Sequence, residues 1–278
     1  MSTIPHSLRW RLPLSISALI AVVLAAFLWA AYREVEATLV RAGGDRAQNA
    51  ANQLANLLER SAQQALDELH RGAGHPDLQR YLLDQTDANR EAARRLFSAR
   101  PGAAARRVAV WDQAGSRVLD VALPGTNQAS RMPADISALP GHTGLGEFRA
   151  ADDTIFSDAV AAIVTPPPSR RLGSLVVRAT VSVNPPGILS KLVGGEAAIL
   201  LGNVAGGAWT DLTHVVPAPP VDVSRSGVRE YSSTDGQARV GAVSHIRTTP
   251  WAVWVEFQRA HIIAPARTFL TRMLLTGL

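Results

Sequence analysis

Residues 12–32, LPLSISALIAVVLAAFLWAAY, run for 21 positions without one charged side chain. At 1.5 Å per residue a helix of that length reaches about 30 Å, the thickness of a bilayer's hydrocarbon core. A surface helix of a soluble domain carries a polar face, and this run has none. It is therefore expected to span a membrane. Arg9 and Arg11 precede it, whereas Arg33, Glu34 and Glu36 follow with mixed sign. The positive-inside bias then places the N-terminus in the cytoplasm and residues 33–260 on the other side. A cleaved signal peptide is the competing reading, and the run is longer than the roughly 7–15 apolar residues of such a peptide.

A chain of 278 residues with 47% hydrophobic content holds material for two modules. It has no cysteine, which excludes disulfides, thiolate metal sites and cysteine nucleophiles. Lys191 is the one lysine among 28 basic residues, a bias that points to a GC-rich bacterial genome; together with the span, this makes the bacterial inner membrane the expected location. Arg9, Arg11, Arg267 and Arg272 flank the two ends assigned to the membrane, and the formal charge of +5 falls to +1 when they are set aside. A nearly neutral ectodomain without a basic stripe lacks the footprint that nucleic-acid binding requires.

Beyond the span, Leu54, Leu58, Ala62, Ala65 and Leu69 recur at steps of three or four and predict a helix over residues 33–71. Gly43 and Gly44 are its weak point; if the helix runs through them, it extends about 58 Å from the membrane. Its stripe suits a core face and a homodimer seam equally. Shorter helices follow at residues 77–83 and 89–99.

The period then changes to two. Strands are expected at residues 107–111, 117–121, 146–149, 155–164 and 172–183, with Asp112 to Gly115 as a turn and residues 124–146 as a long connection. After a short helix near 187–192, five more strands are expected at 197–201, 208–212, 228–231, 237–246 and 251–257. From His261 the chain becomes helical again and ends in MLLTGL, the expected start of a second, truncated transmembrane helix. Helices beside antiparallel strands make an α+β chain. Its divisions are a cytoplasmic stub (1–11), the span (12–32), a helical lead-in (33–100), a membrane-distal module (101–192), a membrane-proximal module (193–260) and the returning helix (261–278).

VAVWDQAGSRVLDV at 108–121 and DGQARVGAVSHIRTTPWAVWVEFQ at 235–258 resemble strands of Cache modules, the second stretch resembling the hairpin and final strand of a membrane-proximal one. From residue 33 onward the order of elements resembles the double Cache region, two tandem PAS-like modules, of bacterial transmembrane receptors. The resemblance implies a sensing region of a sensor histidine kinase, chemoreceptor or diguanylate cyclase, whose effector is absent here, and a homodimer through the long and transmembrane helices. The Arg-x-Trp-Tyr string of the family's amino-acid receptors is absent, although Tyr81 and Arg90 are available.

Several patterns resist a catalytic reading. Val243 to Pro250 superficially resembles a phospho-acceptor box, yet Ile246 replaces the acidic residue and the flanks alternate as a strand. The histidines at 70, 75, 142, 214 and 261 lack metal-ligand spacing, and the acids at 152, 153 and 158 suit a turn better than a cation site. No cofactor, metal or catalytic set is called for. A pocket between the distal sheet and the 124–146 connection would take a small molecule, with Trp111 as an aromatic wall and Arg149, Asp158 and Arg178 for carboxylate or ammonium groups. The expected function is ligand sensing and transmembrane signalling for a two-component histidine kinase; the alternative is a complete membrane-tethered binding or scaffold protein without an effector.

Overall fold

The computed structural model describes residues 8–98, 105–123, 135–151, 154–166, 169–181, 193–194, 196–233 and 235–276. Helix α1, Leu8–Ala73, runs 66 residues without a break. Among the described residues its apolar first part is the one segment long and apolar enough to cross a membrane, and none of that window is packed inside the protein. Farther along, Val40, Ala47, Ala51, Leu54, Ala62, Leu69 and Ala73 are buried, so one amphipathic stripe lines the core. The small alanines let the helix lie close against its sheets.

Two glycines in mid-helix cost about 1 kcal/mol each relative to alanine. Here they serve close packing. A methyl group on Gly43 would stand 2.6 Å from Ile262 Cδ1, and one on Gly44 would stand 2.9 Å from Val228 Cγ1. Helices α2 (Pro76–Leu83) and α3 (Asp87–Ser98) follow, α2 opening on His75 Nδ1, which accepts the Asp77 N–H at 3.3 Å. Helix α4, Arg259–Thr276, returns along α1, with Arg259 donating to Glu36 at 3.1 Å.

Strands β1 (Arg106–Asp112), β2 (Arg117–Leu123), β3 (Gly144–Ala151), β4 (Thr154–Val164) and β5 (Arg171–Thr180) form one antiparallel sheet in the order β2-β1-β5-β4-β3. Strands β6 (Ala198–Asn203), β7 (Trp209–Thr210), β8 (Val215–Val216), β9 (Gly227–Ser232), β10 (Ala238–His245) and β11 (Trp251–Gln258) form a second, in the order β8-β7-β6-β11-β10-β9. The second sheet packs on the part of α1 nearer the apolar segment, through Ala47, Ala51 and Leu54, and makes the near module. The first packs on the end of α1 and on α2 and α3, through Leu69, Ala73, Leu78 and Tyr81, and makes the far module.

Most expected elements lie within a few residues of their observed places. The strand expected at 208–212 is only β7, because Leu212 adopts φ 75° and carries the chain out of the ladder. The near sheet gains the two-residue β8, too short to leave a period in the sequence. β5 ends at Thr180, earlier than expected, and α4 begins at Arg259, before His261. The helix expected near 187–192 and the acids at 152 and 153 lie outside the described residues.

Candidate ligand-binding face

Alternation along the far sheet separates two surfaces. Val108, Val110, Ala161, Ile163 and Leu175 face the helices. Ala109, Trp111, Val160 and Val176 form a second apolar cluster on the opposite surface. Charged residues share that opposite surface, because Asp158 stands directly across from Arg178 in the β4–β5 ladder and Arg178 across from Arg107 in the β5–β1 ladder. A row of charge, one carboxylate followed by two guanidiniums, therefore crosses three strands.

The row is hydrogen-bonded throughout. Arg178 donates from Nε to Asp158 Oδ1 at 2.6 Å and from Nη2 to Oδ2 at 2.8 Å, with the pair almost wholly buried. Its guanidinium also lies over the Phe156 ring, 4.4 Å from the centroid. Arg107 holds Asp120 in the same two-pronged way, at 3.0 and 2.9 Å. This bidentate geometry is the strong form of the arginine–carboxylate contact, and the Asp120 bond raises the pKa of Arg107 above its ordinary value.

Asp135 and Ile136 lie over this surface from outside the sheet. The Asp135 carboxylate meets Arg107 at 3.0 Å and Arg117 at 2.7 Å. The Arg117 hydrogen bond, followed by the charges of Arg107 and Arg117, holds that carboxyl below the usual range. Arg178 Nη1 donates to the Asp135 carbonyl at 2.8 Å, and Arg117 Nη1 to the Ile136 carbonyl at 2.9 Å. Ile136 itself is fully buried in the apolar cluster of Trp111.

Of the residues expected to bind ligand, Trp111, Asp158 and Arg178 lie buried on this one surface. Trp111 Nε1 is buried without a hydrogen-bond partner among the described residues. Arg149 stands at the rim, its side chain 58% exposed and 3.9 Å from Asp158. Arg107, Arg117, Asp120, Asp135 and Ile136 were missed. Arg107 and Asp120 carried a signal, being charges at alternating positions of one hairpin; Asp135 and Ile136 carried none. An open cleft of about 290 Å³, lined by Asp112, Gln113, Gly115, Leu139 and Arg171, sits at the β1–β2 turn, away from the ionic row. Beside the row, Ile136 packs into the cluster of Ala109, Trp111, Val160 and Val176.

No protein-family model matches the sequence, and no curated protein matches it. Solved structures do match the backbone. The extracellular domain of vpHK1S-Z8, a protein assigned as a histidine kinase, is 12% identical with a TM-score of 0.55, over 81% of this chain and 97% of that one. The corresponding domain of mmHK1S-Z3, likewise assigned, is 10% identical with a TM-score of 0.50, over 83% and 98%. The fold is that of the double Cache sensor domains. In this double Cache arrangement one face of each sheet is closed by α1. The ionic row lies on the face of the far sheet that α1 leaves free.

Proposed function

We propose that this chain is the extracytoplasmic ligand-sensing and transmembrane signalling region of a bacterial receptor, of the sensor histidine kinase type. The observation that carries the reading is the continuity of α1. One helix without a break joins an unburied apolar segment to the cores of both modules and ends beneath the far sheet that carries the ionic face. A rigid element of this length transmits a change of pose between the far module and the membrane. The double Cache fold, shared with extracellular domains of proteins assigned as histidine kinases, agrees with that use.

In this reading residues 12–32 cross the inner membrane and residues 33–260 lie outside the cytoplasm, as a helical lead-in (33–100), a membrane-distal module (101–192) and a membrane-proximal module (193–260). A small molecule binds at Trp111, Asp158 and Arg178 of the distal module, with Arg149 at its rim, and two copies of the chain pair through α1 and the membrane helices. Ligand binding shifts the receptor only by its different affinity for two poses of the modules against α1. The test is calorimetric screening of the full chain in lipid nanodiscs against small organic acids, amines and sugars, repeated on Arg178→Gln. Binding that Arg178→Gln weakens at least about tenfold supports the reading; binding indifferent to Arg178, or none across the panel, overturns it.

A further inference from the structure

Asp135 and Ile136 belong to no helix or strand, yet Ile136 is fully buried and both carbonyls are held by arginines of the sheet. Connecting segments ordinarily run over the surface and leave their side chains to water. Here a loop delivers a carboxylate to Arg107 and Arg117, a carbonyl oxygen to Arg178 and a branched aliphatic group to the pocket of Ala109, Trp111, Val160 and Val176. A few convergent polar groups around an apolar pocket are what a small-molecule site offers its ligand.

Building on the receptor reading above, we infer that Asp135 and Ile136 are a tethered stand-in for the ligand, and that the ligand displacing them is a branched-chain 2-oxo acid. Its carboxylate replaces that of Asp135 on Arg107 and Arg117. Its keto oxygen takes the Arg178 N–H now given to the Asp135 carbonyl, and its branched chain enters the space of Ile136. The corresponding amino acid fits less well. Its ammonium needs a carboxylate, and Asp158 and Asp120 are both already engaged in two-pronged pairs with arginine. Breaking either pair would leave a guanidinium without its partner, which is costly where the pair is buried. A keto acid makes no such demand.

Self-occupancy lowers apparent affinity by the fraction of molecules in which the site is open. The experiment titrates the full chain in nanodiscs with 3-methyl-2-oxopentanoate, with isoleucine alongside, and follows amide hydrogen exchange at residues 135–142. The keto acid should bind the wild-type chain, speed exchange at 135–142 and bind about tenfold or more tighter than isoleucine. Asp135→Asn frees the arginines without opening an apolar cavity and should tighten keto-acid binding about tenfold. Ile136→Ala, with circular dichroism to confirm the fold, repeats the test from the apolar side and should also bind tighter. Unchanged or weaker binding by both variants, unchanged or slowed exchange at 135–142, or isoleucine binding as tightly as the keto acid would overturn the inference. If another compound of the wider panel binds through Arg178 while the keto acid does not, this inference falls and the receptor reading stands. If nothing binds, both fall.

Discussion

The carboxamide of Asn203 pairs with both sides of one residue in the other module: its Oδ1 accepts the Phe148 N–H at 2.8 Å, and its Nδ2 donates to the Phe148 carbonyl at 3.0 Å. A side chain of the near sheet thus completes the hydrogen bonding of β3, an edge strand of the far sheet. Next to it the Phe148 ring stacks on Trp251 with centroids 4.5 Å apart, and Trp251 Nε1 donates to the Gly146 carbonyl at 2.9 Å. The irregular register of β3 between Leu145 and Phe148 turns these groups outward, where they can be reached.

Asn203→Ala removes both partners from buried peptide groups. Each unsatisfied group costs about 1–3 kcal/mol, so the variant should lose about 2–6 kcal/mol in all. Urea unfolding of the detergent-solubilised chain is the measurement. A change below about 0.5 kcal/mol would mean that water replaces Asn203 at no loss.

The Asp158–Arg178 pair gives a second expectation. Asp158→Ala strands a buried guanidinium and should cost about 3–5 kcal/mol, while replacing both residues with leucine should cost much less than the sum of the single changes. A double-mutant cycle by urea unfolding reads this directly. Additive losses would show that the two charges do not depend on one another.

The fold could largely be read from the sequence because burial follows periodicity. The short apolar runs of β1, β5, β10 and β11, buried on both faces and bounded by turn residues, and the stripe on α1 are local signals of burial. Asp158 and Arg178 were visible as unusual charges within strand patterns, and antiparallel register then joins residues 20 apart in the chain. What stayed hidden depends on contacts distant in sequence. Nothing around Ile136 distinguishes it from a loop residue in water, since the pocket that buries it is built by β1, β4 and β5. The seats at Gly43 and Gly44 were likewise opaque, because a glycine pair weakens a helix unless something packs into it.

At Gly43 two effects oppose one another. Alanine would relieve about 1 kcal/mol of helix-propensity cost, but its methyl would press on Ile262 of α4. Gly43→Ala should therefore be destabilising by about 1 kcal/mol net, since an overpacked contact typically costs about 1–3 kcal/mol. Combining it with Ile262→Ala should cost less than the sum of the two single changes, because the clash disappears with the side chain. Thermal unfolding of the three variants tests this, and a single variant more stable than the wild type would show that α4 yields easily at this point.

Tyr231 supplies a pH-dependent expectation. Its hydroxyl donates to Glu256, which also accepts from Trp254 Nε1 at 2.8 Å and from Arg239 at 2.5 Å. Burial first, and then the hydrogen bond to the Glu256 carboxylate, raises the phenol well above its ordinary value. The folded protein thus holds this proton more tightly than the unfolded chain, whose phenol titrates near about 10. The stabilisation is complete below that pH and is lost as pH climbs from there toward the folded value. Tyr231→Phe cannot take part. At neutral pH it should be less stable than the wild type by about 1.5–3 kcal/mol, the worth of a hydrogen bond to a charged group. Above about pH 10 the gap should close, because the wild type alone then has to retain a proton that its unfolded state has released. Melting curves of both chains between neutral pH and the onset of alkaline unfolding decide the point; a gap that stays constant or widens would place the stabilising role of Glu256 with Arg239 and Trp254 rather than with Tyr231.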